Sequence, residues 1–294
     1  MSGSRSHLIL LHGSSADSRY LASLATRLAE AGHHVHTPDL RGHGPAPQRR
    51  GDIDHMLQLE EDLEDLILSL ELPADARVIV AGHSAGGGLA LRFSAAVCQR
   101  QLANVPLHGV ILLAPYLHHL APNMRRDSRW AQPRIARMLA CALLNRLGIH
   151  RLDHIKVLGF NIPPEYCDAH TTDAYSWRLM TGLNPRDYRG DLKALAHHQV
   201  PVMALIGEHD EAFHAERLAQ CLQPHHPMAQ VEILETIEGR MSEDEAVAMI
   251  VTRTRQFAVR QERWFRRDPR VRWIDIEHDV VAEAAPTVID ALNA

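Results

Sequence analysis

Short apolar runs recur along the first 236 residues, separated by stretches whose apolar positions repeat with helical spacing. HLILLHG (7–13) reads as a buried strand. DSRYLASLATRLAEAG (17–32) has the spacing of a surface helix and ends in glycine. VHTPD (35–39) predicts a second strand. DIDHMLQLEEDLEDLILSLEL (52–72) predicts an amphipathic helix with Asp52 as its N-cap. RVIVAG (77–82), LHGVILLAP (107–115), VPVMALIG (200–207) and QVEILE (230–235) predict four more strands. Runs of Val, Ile and Leu without polar alternation suit strands buried on both faces, and strands separated by helices pair in parallel. The expectation is an α/β fold, a mostly parallel sheet with helices on both faces.

That rhythm breaks between 118 and 198, where Pro122, Pro133, Pro163, Pro164 and Pro185 surround one helical piece, WAQPRIARMLACALLNRLG. Ligands bind beyond the carboxyl ends of parallel strands, so an insertion there would roof the site. Leu139, Leu143, Leu144, Leu147 and Ile149 offer apolar surface for an acyl chain, or pack into the core as most such residues do. The chain therefore divides into a first core part (1–117), an inserted cap (118–198), a second core part (199–236) and a C-terminal segment (237–294).

Composition adds little to this picture. A hydrophobic content of 46% supports a sizeable core, and a net charge of −5 implies no particular partner. Cys98, Cys141, Cys167 and Cys221 show neither CxxC pairs nor framework spacing, which suits reduced thiols. The N-terminus has no signal-peptide layout and HLILL is too short to span a bilayer, so a cytoplasmic protein is expected. The His-His pairs lack metal-binding spacing, and neither a metal nor another cofactor is expected. Oligomeric state leaves no trace in the sequence. One local asymmetry stands out: between Arg253 and Arg272 eight arginines face only Glu262 and Asp268. Such a stretch is a solvated face or a footprint for phosphates.

The chemistry centres on GHSAGGG (82–88), directly after a strand run. A sharp strand-to-helix turn holds a side chain out at the sheet edge, and residues two positions away must then be small. Gly82 and Gly86 flank Ser84 at that spacing, the G-x-S-x-G pattern of a nucleophile elbow. The helix opening at Ala85 offers backbone N–H groups and a positive dipole end to a developing oxyanion. A glycine-rich nucleotide-binding turn is the alternative, but neither Gly-Lys-Ser/Thr nor G-x-G-x-x-G is present. LHGSSAD (11–17) can bring the Ser14 amide beside the elbow. PDLRGHGPAP (38–47) follows the next strand, and VMALIGEHDEAF (202–213) puts Asp210 past a later one.

Together and in this order, LHGSS, DLRGHG, GHSAGG and IGEHD resemble the α/β-hydrolase superfamily. The resemblance covers about residues 5–236 and is nearest to the lysophospholipase, monoglyceride-lipase and serine-aminopeptidase branch. It implies Ser84 as nucleophile, Asp210 as the acid that orients a histidine, the Ser14 and Ala85 amides as oxyanion hole, and a cap at about 118–198. It also implies two strands ahead of the first one found here, and these are not evident.

The expected histidine is missing. The family places it after the last strand, where this chain reads TIEGRMSED with Arg240 near the position and no histidine between 227 and 277. Arginine does not deprotonate at physiological pH and cannot act as general base. His209, His214, His225, His226 and His278 are substitutes to weigh, each more ordinarily a loop histidine.

Beyond 236 the sequence changes character. TRQFAVRQERWFRRDPR (254–270) resembles the C-terminus of bacterial tRNA dimethylallyltransferases over about the last 55 residues. Ser242 with Glu245 predicts a capping box, and Val247, Ile250, Val251, Phe257, Trp264 and Phe265 share one helical face beside Arg253, Arg260, Arg263 and Arg267. Without a P-loop for a diphosphate donor this segment cannot carry prenyl transfer, and nucleic acid is not the expected partner. Three readings follow. They are a serine hydrolase of carboxylic esters with a small ester or acyl substrate, a hydrolase-fold protein that binds an acyl ligand without turnover, and a tRNA-modification protein.

Overall fold

The computed structural model describes residues 6–73, 76–99, 105–126 and 128–234. Arg240, His278 and the helix expected from Ser242 lie outside these residues. In chain order the elements are β1 (Ser6–Leu11), α1 (Ala22–Glu30), β2 (His34–His36), α2 (Gln58–Ser69), β3 (Arg77–His83), α3 (Ala85–Cys98) and β4 (Leu107–Leu113). They continue with β5 (Ala131–Pro133), α4 (Ile135–Arg146), β6 (Lys156–Phe160), β7 (Ala174–Ser176), α5 (Trp177–Leu183), α6 (Tyr188–His197), β8 (Val202–Gly207), α7 (Leu218–Leu222) and β9 (Gln230–Leu234).

Six strands form one sheet in the order β2-β1-β3-β4-β8-β9, and every pair is parallel. The apolar runs explain why. Ile9, Leu11, Val78, Val80, Val110, Leu112, Val202 and Ala204 join one core with Leu59 and Leu63 of α2, Leu89 and Phe93 of α3, and Leu192 and Leu195 of α6. The alternate positions Leu8, Leu10, Ile79, Ile111 and Met203 are as deeply buried. A strand enclosed on both faces has no polar position to spare.

Between β4 and β8 the chain builds a second, three-stranded antiparallel sheet, β5-β6-β7, with α4 beside it. Its strands are three to five residues long, too short to show alternation. The segment returns to the core through α5 and α6. Arg92 on α3 is buried there, its Nε donating to Glu60 of α2 at 2.6 Å and its Nη1 to the carbonyls of Thr181 and Asn184 at 3.0 Å each.

Two expectations are corrected. Asp52 caps no helix: α2 begins at Gln58, and Asp52 is buried in a two-point ion pair with Arg178 at 2.6 and 2.8 Å. Nor do the cap leucines pack inward. Leu139, Leu143, Leu147 and Ile149 are exposed, because α4 turns Met138, Cys141, Leu144 and Asn145 toward the protein instead.

Candidate active site

Ser84 sits between β3 and α3 with φ 52° and ψ −117°, a backbone conformation that L-residues avoid. Hydrogen bonds on both sides hold it there. Its N–H donates to the Leu113 carbonyl at 2.9 Å, and its carbonyl accepts from Tyr116 at 2.9 Å and Gly88 at 3.2 Å. The glycines are a steric requirement of this crossing. A Cβ on Gly82 would fall into the carbonyl of Gly86, and one on Gly86 into the carbonyls of His12 and Leu11. Ala85 opens α3, so its amide has no partner within the helix and lies at the positive end of the dipole.

The loop after β1 is pressed against this turn. A Cβ on Gly13 would lie 3.3 Å from Cβ of Ser84 and 3.1 Å from Nδ1 of His83. Two tyrosines fix the loop. The Gly13 N–H donates to the Tyr20 hydroxyl at 2.7 Å and the Ser15 N–H to the Tyr175 hydroxyl at 2.8 Å. Between them, the Ser14 N–H meets no acceptor among the described residues. Tyr175 belongs to β7, so the cap insertion itself reaches the loop.

Two buried histidines complete the support. Nδ1 of His43 lies 3.3 Å from the Arg41 carbonyl and Nε2 lies 2.6 Å from the Tyr175 hydroxyl. A carbonyl only accepts, so the proton is assigned to Nδ1, and Tyr175 donates to Nε2. Burial drives the His43 pKa down to about 3, with His12 beside it acting in the same direction, and the ring stays neutral. His12 is arranged likewise, with Nδ1 2.9 Å from the Gly13 carbonyl and Nε2 accepting from Leu40 N–H at 2.9 Å. Burial lowers its pKa too. Sequence reasoning quoted His12 and His43 within motifs without a role, and it passed over Tyr20 and Tyr175.

Asp210 follows β8, two strands from β3 at the same carboxyl edge. Its Oδ1 accepts from the Ala212 and Phe213 amides at 2.8 Å each, while Oδ2 has no donor among the described residues. Arg125 grips the same loop, its Nε donating to the Asp210 carbonyl at 2.9 Å. Burial lowers the His83 pKa and the charge of Asp210 opposes that shift, so the carboxylate is within electrostatic reach of the residue preceding Ser84. None of the histidines weighed as base hydrogen-bonds Ser84 or Asp210 among the described residues. His209 is exposed, His214 pairs with Glu216 at 3.2 Å, His225 stands edge-on to the Tyr188 ring, and His226 contacts the Val200 carbonyl at 2.8 Å.

A cavity of about 480 Å³ opens beside the acid loop, lined by Met124, Arg125, His214 and Arg217 among others; Ser84 is not in its wall. Among the described residues no cluster of three His, Cys, Asp or Glu could hold a metal ion, and no helix is long and apolar enough to cross a membrane.

Residues 2–236 match the serine aminopeptidase (S33) family of hydrolases. The chain belongs to this family. Its fold is that of the α/β hydrolases. The monoacylglycerol lipase of Paleococcus ferrophilus superposes with a TM-score of 0.60 at 17% identity, covering 84% of this chain and 92% of that one. A soluble variant of the Saccharomyces cerevisiae monoglyceride lipase, in complex with a substrate analog, gives 0.62 at 15% identity, covering 87% of each chain. At such identities the likeness establishes the fold alone. The curated relatives concern a minority of the chain. A tRNA dimethylallyltransferase from Corynebacterium efficiens is 43% identical over 53 residues, 18% of this chain and 18% of that protein. The chain thus spans under a fifth of that relative's length, in keeping with the C-terminal resemblance.

Proposed function

We propose that this family member is a carboxylic-ester hydrolase, esterase- or lysophospholipase-like, working through an acyl-enzyme on Ser84. A base removes the Ser84 proton and Oγ attacks the ester carbonyl carbon. The oxyanion receives N–H groups from Ser14 and Ala85, the alcohol leaves with the proton, and water then releases the acid. Asp210 orients the imidazole of the base through its open Oδ2. The observation that carries this reading is Ser84 held at φ 52° against Gly13, with the helix-opening amide of Ala85 next to it.

A second reading has its own support: a hydrolase-fold protein that binds an acyl ligand without turnover. Residues 227–277 contain no histidine, and no described histidine bonds Ser84 or Asp210. Without a triad member, a serine hydrolase retains only about 10³–10⁴-fold catalysis over water.

A fluorophosphonate probe tests the assignment. The wild-type chain should be labelled and Ser84→Ala should not; a wild type no more reactive than Ser84→Ala overturns the role of Ser84. Turnover of a short-chain activated ester then separates the two readings. Brisk hydrolysis abolished by His278→Ala identifies a base within the C-terminal segment, whereas labelling with barely detectable hydrolysis supports the binding protein.

A further inference from the structure

Helix α4 is inverted. Only Cys141 is buried, with Met138, Leu144 and Asn145 half-buried, whereas Ile135, Leu139, Leu143 and Leu147 are 57%, 66%, 62% and 66% exposed. Four-residue spacing keeps these on one stripe, and Ile149, 44% exposed, extends it past the helix end. Single exposed apolar residues are ordinary, but a contiguous stripe of five is the mark of an interaction surface.

The charge around the stripe is as one-sided. From 134 to 151 the chain carries Arg134, Arg137, Arg146 and Arg151 and no acidic residue, in a protein whose overall net charge is −5. All four are exposed, and none forms an ion pair among the described residues. An apolar stripe with arginines at its margins matches an interface whose interior is hydrocarbon and whose rim is anionic.

We infer that this face of the cap docks on an anionic lipid surface. The leucines enter the boundary between headgroups and acyl chains, and the arginines meet lipid phosphates. The same charge argues against a second copy: a two-fold contact through α4 would set the four arginines against the same four. This inference does not depend on the esterase reading, because docking needs no turnover.

The test is co-sedimentation of the full chain with vesicles of phosphatidylcholine, pure or mixed with phosphatidylglycerol. Binding should favour the mixed vesicles and fade as salt shortens the Debye length to about 3 Å at 1 M. Leu139→Gln with Leu143→Gln keeps good helix formers on side chains that already face solvent, and should weaken partitioning about ten-fold or more. Arg146→Gln should cost about five-fold. Ser84→Ala should bind like wild type, which separates this result from the labelling experiment. Absence of vesicle binding, or unchanged binding by the double-leucine variant, overturns the inference. So does sedimentation showing a self-associated wild type and a monomeric double-leucine variant, which would assign the face to a second copy.

Discussion

Replacing Ser84 by alanine and by glycine separates backbone strain from side-chain chemistry. Both variants lose the hydroxyl, but only glycine adopts φ 52°, ψ −117° without steric cost. A non-glycine residue held in such a region costs about 1–3 kcal/mol. Against this, glycine loses more freedom on folding, roughly 0.5–1 kcal/mol relative to alanine. The difference leaves Ser84→Gly more stable than Ser84→Ala by up to about 2.5 kcal/mol. At roughly 2–4 °C per kcal/mol for a domain of this size, the glycine variant should melt higher by up to about 10 °C. Urea titration with equal m-values would assign the change to stability rather than to a different unfolded state. Neither variant should react with a fluorophosphonate. If Ser84→Gly is instead the less stable by the ordinary glycine penalty, the turn is relaxed, and strain no longer distinguishes Ser84 from any other helix-opening serine.

Tyr175→Phe keeps the ring against Phe160 but strands the Ser15 amide and Nε2 of His43. The two losses together should destabilise the fold by about 2–5 kcal/mol in urea titration and slow fluorophosphonate labelling about 10²-fold as the Ser14 amide drifts; unchanged stability and labelling would refute the tyrosine's hold on the loop. Asp191 has its pKa raised to about 7, chiefly by burial, with Asp187 and Glu60 reinforcing the shift and Arg92 and Arg186 opposing it. The folded state then binds this proton more tightly than the unfolded chain, so the stability that Asp191 contributes falls as pH rises from about 4 to 7, against the opposite contribution of the buried neutral His43. Asp191→Asn should remove that falling contribution and make melting temperature climb more steeply with pH across the window than in wild type; an unaltered slope would refute the shift at Asp191.

What the sequence made legible is what backbone geometry and two-sided burial demand. Six strands were readable because a strand enclosed on both faces admits only apolar residues. The elbow was readable because Gly82 and Gly86 must yield space to the carbonyls that cross there. Features set by distant partners were not. Asp52 looked like a local cap because its true partner, Arg178, lies 126 residues away. Tyr175 carried no local signal, since the Ser15 amide and His43 that it joins are 160 and 132 residues away. The leucines of α4 were expected inside because apolar residues usually are, and nothing in the sequence says which arc of a helix meets its neighbours. The base belongs to this second kind. Oδ2 of Asp210 has no donor among the described residues and the charge of Asp210 reaches the residue preceding Ser84, so under the proposed function the acid stands ready whether or not an imidazole arrives. Only a histidine brought in from far along the chain could complete it, and spacing in the sequence does not report such pairings. For that reason ester turnover, rather than any motif, decides between a hydrolase and a binding protein, and the mutation of His278 asks whether the C-terminal segment supplies the base.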